Sequence, residues 1–131
     1  MGTESSAHRE RILVVEDEFI IAEDIRTVLG QMGYSVAPPV GSGEEAVESV
    51  RKTSPELVFL DIGLSGEIDG FETARRIRNI SNVPIVFLTG AMDSETLDKL
   101  LHSGMRYIEK PFDDLTVSES IQKTLEEAYR S

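Results

Sequence analysis

Cysteine is absent from all 131 residues. That excludes a disulfide framework, a thiolate metal site and a cysteine nucleophile, and it fits a protein of the cytoplasm. Histidine is almost absent. His8 lies in a polar tail and His102 near a helix end, where capping the C-terminus is its ordinary use, and two isolated histidines make no metal site. Basic residues are the minority: 13 Lys and Arg stand against 24 Asp and Glu, for a formal net charge of −11, and they form no cluster. A nucleic-acid binder needs a basic face to displace counterions, so direct DNA or RNA contact is not expected. Anionic lipid would repel the same surface. No apolar run approaches the ~20 residues of a membrane span, and Met1 to Glu10 lacks the apolar centre of a signal peptide. The expectation is a soluble cytoplasmic chain of one domain, with 1–10 a disordered or added tail and 11–131 the folded part.

Short apolar runs alternate with amphipathic stretches five times along that folded part. The strand candidates are Ile12–Val15, Tyr34–Pro38, Leu57–Leu60, Ile85–Leu88 and Arg106–Ile108. Ile-Leu-Val-Val, Leu-Val-Phe-Leu and Ile-Val-Phe-Leu show no polar alternation, as in strands buried on both faces of a parallel sheet. Helices are expected between them. The first spans about Glu18 to Gln31, with Ile21, Ala22, Ile25, Val28, Leu29 and Met32 on one stripe and Gly33 as terminator. The second opens on Ser42 with Glu45 three residues on, and the third on Asp69 with Glu72 in the same relation, both patterns of a capping box. The third turns Phe71, Ala74 and Ile77 inward. A fourth runs from about Asp93 to His102 and stops at Gly104. The fifth runs from Asp113 or Asp114 to about Tyr129, with Leu115, Ile121, Leu125 and Ala128 on its buried side. Strict alternation with short connections implies right-handed crossovers. Five units suggest a doubly wound five-stranded parallel α/β sheet of order 2-1-3-4-5, whose ligand site lies where the winding reverses, between the first and third strands.

Function in such a sheet gathers beyond the carboxyl ends of the strands. Glu16, Asp17 and Glu18 follow the first strand, Asp61 the third, Thr89 the fourth and Lys110 the fifth. Carboxylates from two adjacent central strands must converge there. At ~4 Å and an effective dielectric near 20, each like pair repels by roughly 4 kcal/mol, which calls for a cation. Oxygen ligands without His or Cys select a hard ion, and Mg²⁺ fits best, with Mn²⁺ a possible substitute. Lys110 and Thr89 add a point charge and a hydroxyl donor suited to phosphoryl oxygens. A carboxylate such as Asp61 is a competent nucleophile toward phosphorus.

From Arg11 to about Tyr129 the sequence resembles the receiver domains of two-component response regulators, which are flavodoxin-like (βα)5 folds. The matching motifs are Val-Val-Glu-Asp-Glu at 14–18, Leu-Val-Phe-Leu-Asp-Ile at 57–62, Asp69-Gly70, Leu88-Thr89-Gly90, and Tyr107-Ile-Glu-Lys-Pro-Phe ending at 112. The resemblance implies that Asp61 is the phosphoacceptor and Asp17 a direct Mg²⁺ ligand. It implies that Glu16 acts on the metal through water and that the Gly63 carbonyl completes the shell. Thr89 and Lys110 would sense phosphate, Tyr107 would turn inward as an aromatic switch, and the Lys110-Pro111 peptide would be cis. Three departures stand out: the span from Asp61 to Asp69 is one residue longer than usual, the customary proline after Leu64 is missing, and the segment between the fourth helix and Tyr107 is shortened. Gly63 and Ala91 stand where relatives carry bulkier side chains that influence hydrolysis.

The resemblance implies a signalling switch or relay, not an enzyme beyond its own phosphotransfer and autodephosphorylation. Its partners would be a sensor histidine kinase or histidine phosphotransfer protein, and a downstream protein or fused output domain reached through the fourth helix, fifth strand and fifth helix. Phe19 and Ile20, off the apolar stripe of the first helix, are candidates for docking the donor, against simple packing at the helix start. The alternative is a pseudo-receiver that binds partners without being phosphorylated. A flavodoxin-like electron carrier is disfavoured because Glu16-Asp17-Glu18 would repel its cofactor's phosphate. An aspartate-based phosphatase is disfavoured because position 63, two after the nucleophile, is glycine.

Overall fold

The computed structural model describes residues 10–90 and 93–130. The tail expected over 1–10, apart from Glu10, lies outside them, as do His8 and Ala91. Five strands alternate with five helices: β1 (Arg11–Val15), α1 (Phe19–Gln31), β2 (Ser35–Val36), α2 (Gly43–Thr53), β3 (Leu57–Asp61), α3 (Gly70–Arg78), β4 (Ile85–Thr89), α4 (Ser94–Ser103), β5 (Arg106–Glu109) and α5 (Asp114–Arg130). The strands form one parallel sheet in the order β2-β1-β3-β4-β5.

The unbroken apolar runs are explained by the two faces of that sheet. Side chains alternate across a strand, so Leu13, Val15, Val58, Leu60, Ile85 and Phe87 enter one core with Ala46, Val50, Ala74, Ile77 and Leu100 of the helices α2, α3 and α4. Ile12, Val14, Leu57, Phe59, Val86 and Leu88 enter the other with Ile25, Leu29, Val117, Ile121 and Leu125 of α1 and α5. Each large apolar side chain so buried contributes roughly 1.5–3 kcal/mol relative to exposure. That rigid centre, β1, β3 and β4, carries the acidic strand ends.

Helix boundaries follow local chemistry. Ser42 Oγ accepts the Glu45 amide at 3.1 Å, and Asp69 Oδ1 accepts the Glu72 amide at 2.8 Å. The return half of each box differs from expectation: Glu45 Oε1 takes the Gly41 amide, and Glu72 pairs with Arg75 and Arg76 instead. Gly33 and Gly104 follow α1 and α4 with φ of 94° and 70°, backbone that glycine adopts without strain. Two expectations are corrected. Regular pairing in β2 covers only Ser35 and Val36, with an isolated bridge from Val40 to Val15, because Pro38 and Pro39 have no N–H to donate. Leu115 is 65% exposed, and Val117 and Thr124 take the inner side of α5 with Ile121 and Leu125.

Gly43 opens α2 against α3 with no room for a methyl group: a Cβ there would stand 2.1 Å from Thr73 Oγ1 and 2.5 Å from Ile68 Cγ1. Gly30, in α1, has nothing within 4 Å of the same position. Gly43→Ala is expected to destabilise the fold by about 1–3 kcal/mol through overpacking. Gly30→Ala is expected to stabilise it by about 0.5–1 kcal/mol through helix propensity. Urea unfolding of both variants checks the opposite signs.

Candidate functional site

The sheet register brings the ends of four strands to one level. Val15 pairs with Leu60, Asp61 with Leu88 and Thr89 with Glu109. The residues at or just past those ends share one rim. Glu16, Asp17 and Asp61 each place a carboxylate oxygen within 4.8 Å of the other two. Lys110 Nζ reaches across the sheet to Glu16 Oε1 at 2.7 Å and Asp61 Oδ1 at 3.5 Å. A cavity of about 530 Å³ opens above them, lined among others by Asp17, Asp61, Gly63, Thr89 and Lys110.

Each group is held by its backbone surroundings. Asp61 is the last residue of a fully buried strand, and its Oδ1 accepts the Gly63 amide at 3.2 Å. Gly70 allows α3 to start against that turn, since a Cβ there would lie 2.4 Å from the Asp61 carbonyl oxygen and 2.6 Å from Ile62 Cα. Glu16 Oε2 accepts the Glu18 amide at 3.2 Å. The Lys110 amide donates to the Thr89 carbonyl at 2.8 Å, and the Lys110-Pro111 peptide is cis. Asp17 takes two hydrogen bonds from Ser65, from the hydroxyl at 2.7 Å and the amide at 3.0 Å.

Burial and charge act differently on the three titrating neighbours. Glu16, 3% exposed, is pushed up from 4.5 to about 7, first by burial and then by the Asp61 charge, against the hydrogen bond from Lys110. Asp17 is held below the usual carboxylate range, chiefly by the Ser65 hydroxyl. Burial pulls the Lys110 ammonium down, but its hydrogen bond to Glu16 and the charges of Asp61 and Glu16 outweigh it, and the amine stays above its ordinary value. Three carboxylates against one ammonium leave an excess of negative charge in an all-oxygen donor set. Such a set fits a hard divalent cation.

The structure therefore brings together Glu16, Asp17, Asp61, Gly63, Thr89 and Lys110. It leaves Tyr107 at the surface, 36% exposed, in a groove with Thr116 and Lys123 and away from the cavity. Phe19 and Ile20 are 75% and 74% exposed at the start of α1, so packing at the helix start does not account for them. Two contributors escaped the sequence. Thr96 of α4 lines the cavity, and Ser65 contacts Asp17. The absent proline after Leu64 was the one available signal for Ser65. Thr96 had none.

A family model for the response regulator receiver domain matches residues 12–122. This chain belongs to the response regulator receiver domain family. Among curated relatives of this receiver, the transcriptional regulatory protein YvrH of Bacillus subtilis is 36% identical over 121 residues, covering 92% of this chain and 51% of the relative. The DNA-binding response regulator MtrA of Mycobacterium tuberculosis is 42% identical over 105 residues, 79% of this chain and 45% of that protein. The chain thus spans about half the length of the curated relatives it matches. Among solved structures, the receiver domain of a modulated diguanylate cyclase from Desulfovibrio desulfuricans superposes with a TM-score of 0.85 at 33% identity, covering 91% of this chain and 95% of that one. The receiver domain of a Pseudomonas aeruginosa sensor histidine kinase, solved with a magnesium ion coordinated in its active-site cleft, gives 0.80 at 30% identity over 89% of this chain and 98% of that one.

The raised Glu16 carboxyl has a thermodynamic consequence. Between 4.5 and about 7 the folded receiver keeps a proton that the unfolded chain has released. Stability must therefore fall as pH rises through that window. With a chelator present, urea unfolding is expected to show a loss on the order of 1–3 kcal/mol between about pH 5 and pH 8. Glu16→Gln should flatten the slope, and an equal slope in that variant would contradict the assignment.

Proposed function

We propose that this receiver is a phosphorylation-controlled switch in which Asp61 accepts a phosphoryl group from a phosphohistidine. The observation that carries the proposal is the Asp61 carboxylate lining the cavity, with Lys110 Nζ 3.5 Å away and two further carboxylates beside it. Asp17, Asp61 and the Gly63 carbonyl would hold Mg²⁺, with Glu16 acting through water. Mn²⁺ would substitute. When bound, the ion neutralises charge on the phosphoryl oxygens and aligns them. A magnesium-bearing relative of the same fold supports this assignment.

In the transfer, an oxygen of Asp61 forms the new bond to phosphorus while the bond from phosphorus to the donor imidazole nitrogen breaks. The electron pair leaves with the imidazole, which takes a proton from solvent. Asp61 attacks ionised, so no general base is required. Lys110 pairs with a phosphoryl oxygen, and the Thr89 hydroxyl donates to another. The same chemistry limits this chain to its own phosphotransfer and autodephosphorylation, so it is not an enzyme acting on other substrates.

Movement of Thr89 toward the phosphoryl group draws Tyr107 inward and alters the α4-β5-α5 face. Leu101 of α4, Tyr107 of β5 and Leu115 of α5 are exposed, at 66%, 36% and 65%. A downstream protein or a fused output domain would read that face, as the longer curated relatives suggest. The donor would be a sensor histidine kinase or histidine phosphotransfer protein, seated on Phe19 and Ile20 at the start of α1. None of the described helices is long and apolar enough to cross a membrane, and we assign the protein to the cytoplasm.

Incubation with acetyl phosphate and Mg²⁺ should add one phosphoryl group, seen by intact mass and abolished by chelation or by Asp61→Asn. Lys110→Ala should slow labelling by about a hundredfold. No labelling of the wild-type chain would leave a pseudo-receiver that only binds partners. Phe19→Ala and Ile20→Ala should slow transfer from the phosphohistidine partner about tenfold, with acetyl phosphate labelling unchanged. Equal loss with both donors would remove the docking role.

A further inference from the structure

Three carboxylates meet at the strand ends, yet only two of them are held by the site's ammonium group. Lys110 pairs with Glu16 and Asp61. Asp17 is the exposed member of the trio and takes no part in that pair. Its side chain is exposed, and an exposed ionised carboxylate has many rotamers available. What meets it is Ser65, 48 residues further along the chain. The Ser65 hydroxyl donates to Asp17 Oδ2 at 2.7 Å, and the Ser65 amide donates to the same oxygen at 3.0 Å.

The loop that presents Ser65 is itself anchored. Leu64 and Ile68, on either side, are 6% and 8% exposed and tie the segment to the body of the domain. Gly66 turns the chain directly after Ser65 with a φ of +112°, a backbone conformation that L side chains rarely adopt. A proline following Leu64 would have neither an N–H nor a hydroxyl to offer Asp17. The departure seen at this point in the sequence therefore creates a two-donor clamp on one oxygen of a single carboxylate. Asp17 Oδ1 takes neither of these two hydrogen bonds.

We infer that Ser65 is a positioning residue that fixes Asp17 for the divalent cation and so sets the cation affinity of the site. The inference rests on the metal-site assignment made above for Glu16, Asp17 and Asp61. Partners that hold a ligating carboxylate by hydrogen bonds typically account for 10–100-fold in metal affinity. Ser65→Ala removes the stronger donor and keeps the amide, Ser65→Thr keeps both, and Ser65→Pro removes both.

Calorimetric titration of the purified chain with Mg²⁺ tests this directly. Ser65→Ala is expected to weaken binding roughly tenfold, Ser65→Pro by more, and Ser65→Thr by less than about threefold. In acetyl phosphate labelling, the shift should appear in the Mg²⁺ concentration for half-maximal rate and not in the plateau rate. A merely structural role for the loop would move both, or neither. Unchanged or tighter binding in Ser65→Ala, with wild type binding Mg²⁺ and Asp17→Ala losing it, overturns the positioning role alone. If wild type takes up no Mg²⁺, and Asp17→Ala is indistinguishable from it, the metal-site assignment falls, and the role of Ser65 falls with it.

Discussion

Mutual repulsion among Glu16, Asp17 and Asp61 is the constraint around which this receiver is built. Their oxygens lie within 4.8 Å of one another, a separation at which like charges oppose folding by several kcal/mol even in a medium as polarisable as a protein rim, where a dielectric near 20 gives roughly 4 kcal/mol per pair. The molecule meets part of that cost internally. Lys110 crosses from the sheet edge to Glu16 and Asp61, amides of Gly63 and Glu18 donate to the same two carboxylates, and Glu16 shifts toward its neutral form. What is left uncompensated is negative, oxygen-rich and open to a cavity. A group carrying positive charge, or bringing a cation with it, lowers the energy of the whole assembly on arrival.

That arrangement needs a framework that does not relax away from it. Two apolar cores supply one, clamping β1, β3 and β4 from both faces. Parallel pairing then fixes the height at which each strand stops, so the acids cannot slide apart along the sheet. Gly70 acts at a finer scale, letting α3 approach the Asp61 backbone more closely than any side chain would permit. Packing and electrostatics are thus opposed at this rim, and packing is the stronger.

Much of this was legible in the chain because it depends on local patterns. Unbroken apolar runs marked the three central strands, and Ser42, Asp69, Gly33 and Gly104 marked helix ends through chemistry confined to a few neighbours. Strict alternation suggested the sheet order, and the positions just past the strand ends gave the acidic cluster. Errors arose where a local constraint outweighed apolar composition. Tyr34 to Pro38 reads as a strand by composition, but adjacent prolines deprive it of donors. Leu115 is apolar but stands six residues before Ile121, about 120° round the helix from it, whereas Val117 stands four residues before Ile121 and takes the buried stripe. The missing proline after Leu64 marked position 65, but the partner of Ser65 was beyond reach, because hydroxyl and carboxylate are 48 positions apart and only the folded loop joins them.

The sheet order has one more consequence. Glu16, Asp17 and Asp61 extend from strands with neighbours on both sides, whereas β5 is an edge, four residues long and bonded to β4 alone. Lys110 is therefore the part of the charged cluster mounted on the most compliant support. A load applied at the rim is transmitted outward through it, while the acids stay fixed as the reference. The sheet's other edge, β2, is shorter still but carries none of these groups, so within the charged cluster the give falls to Lys110, on the flank that bears the exposed Tyr107.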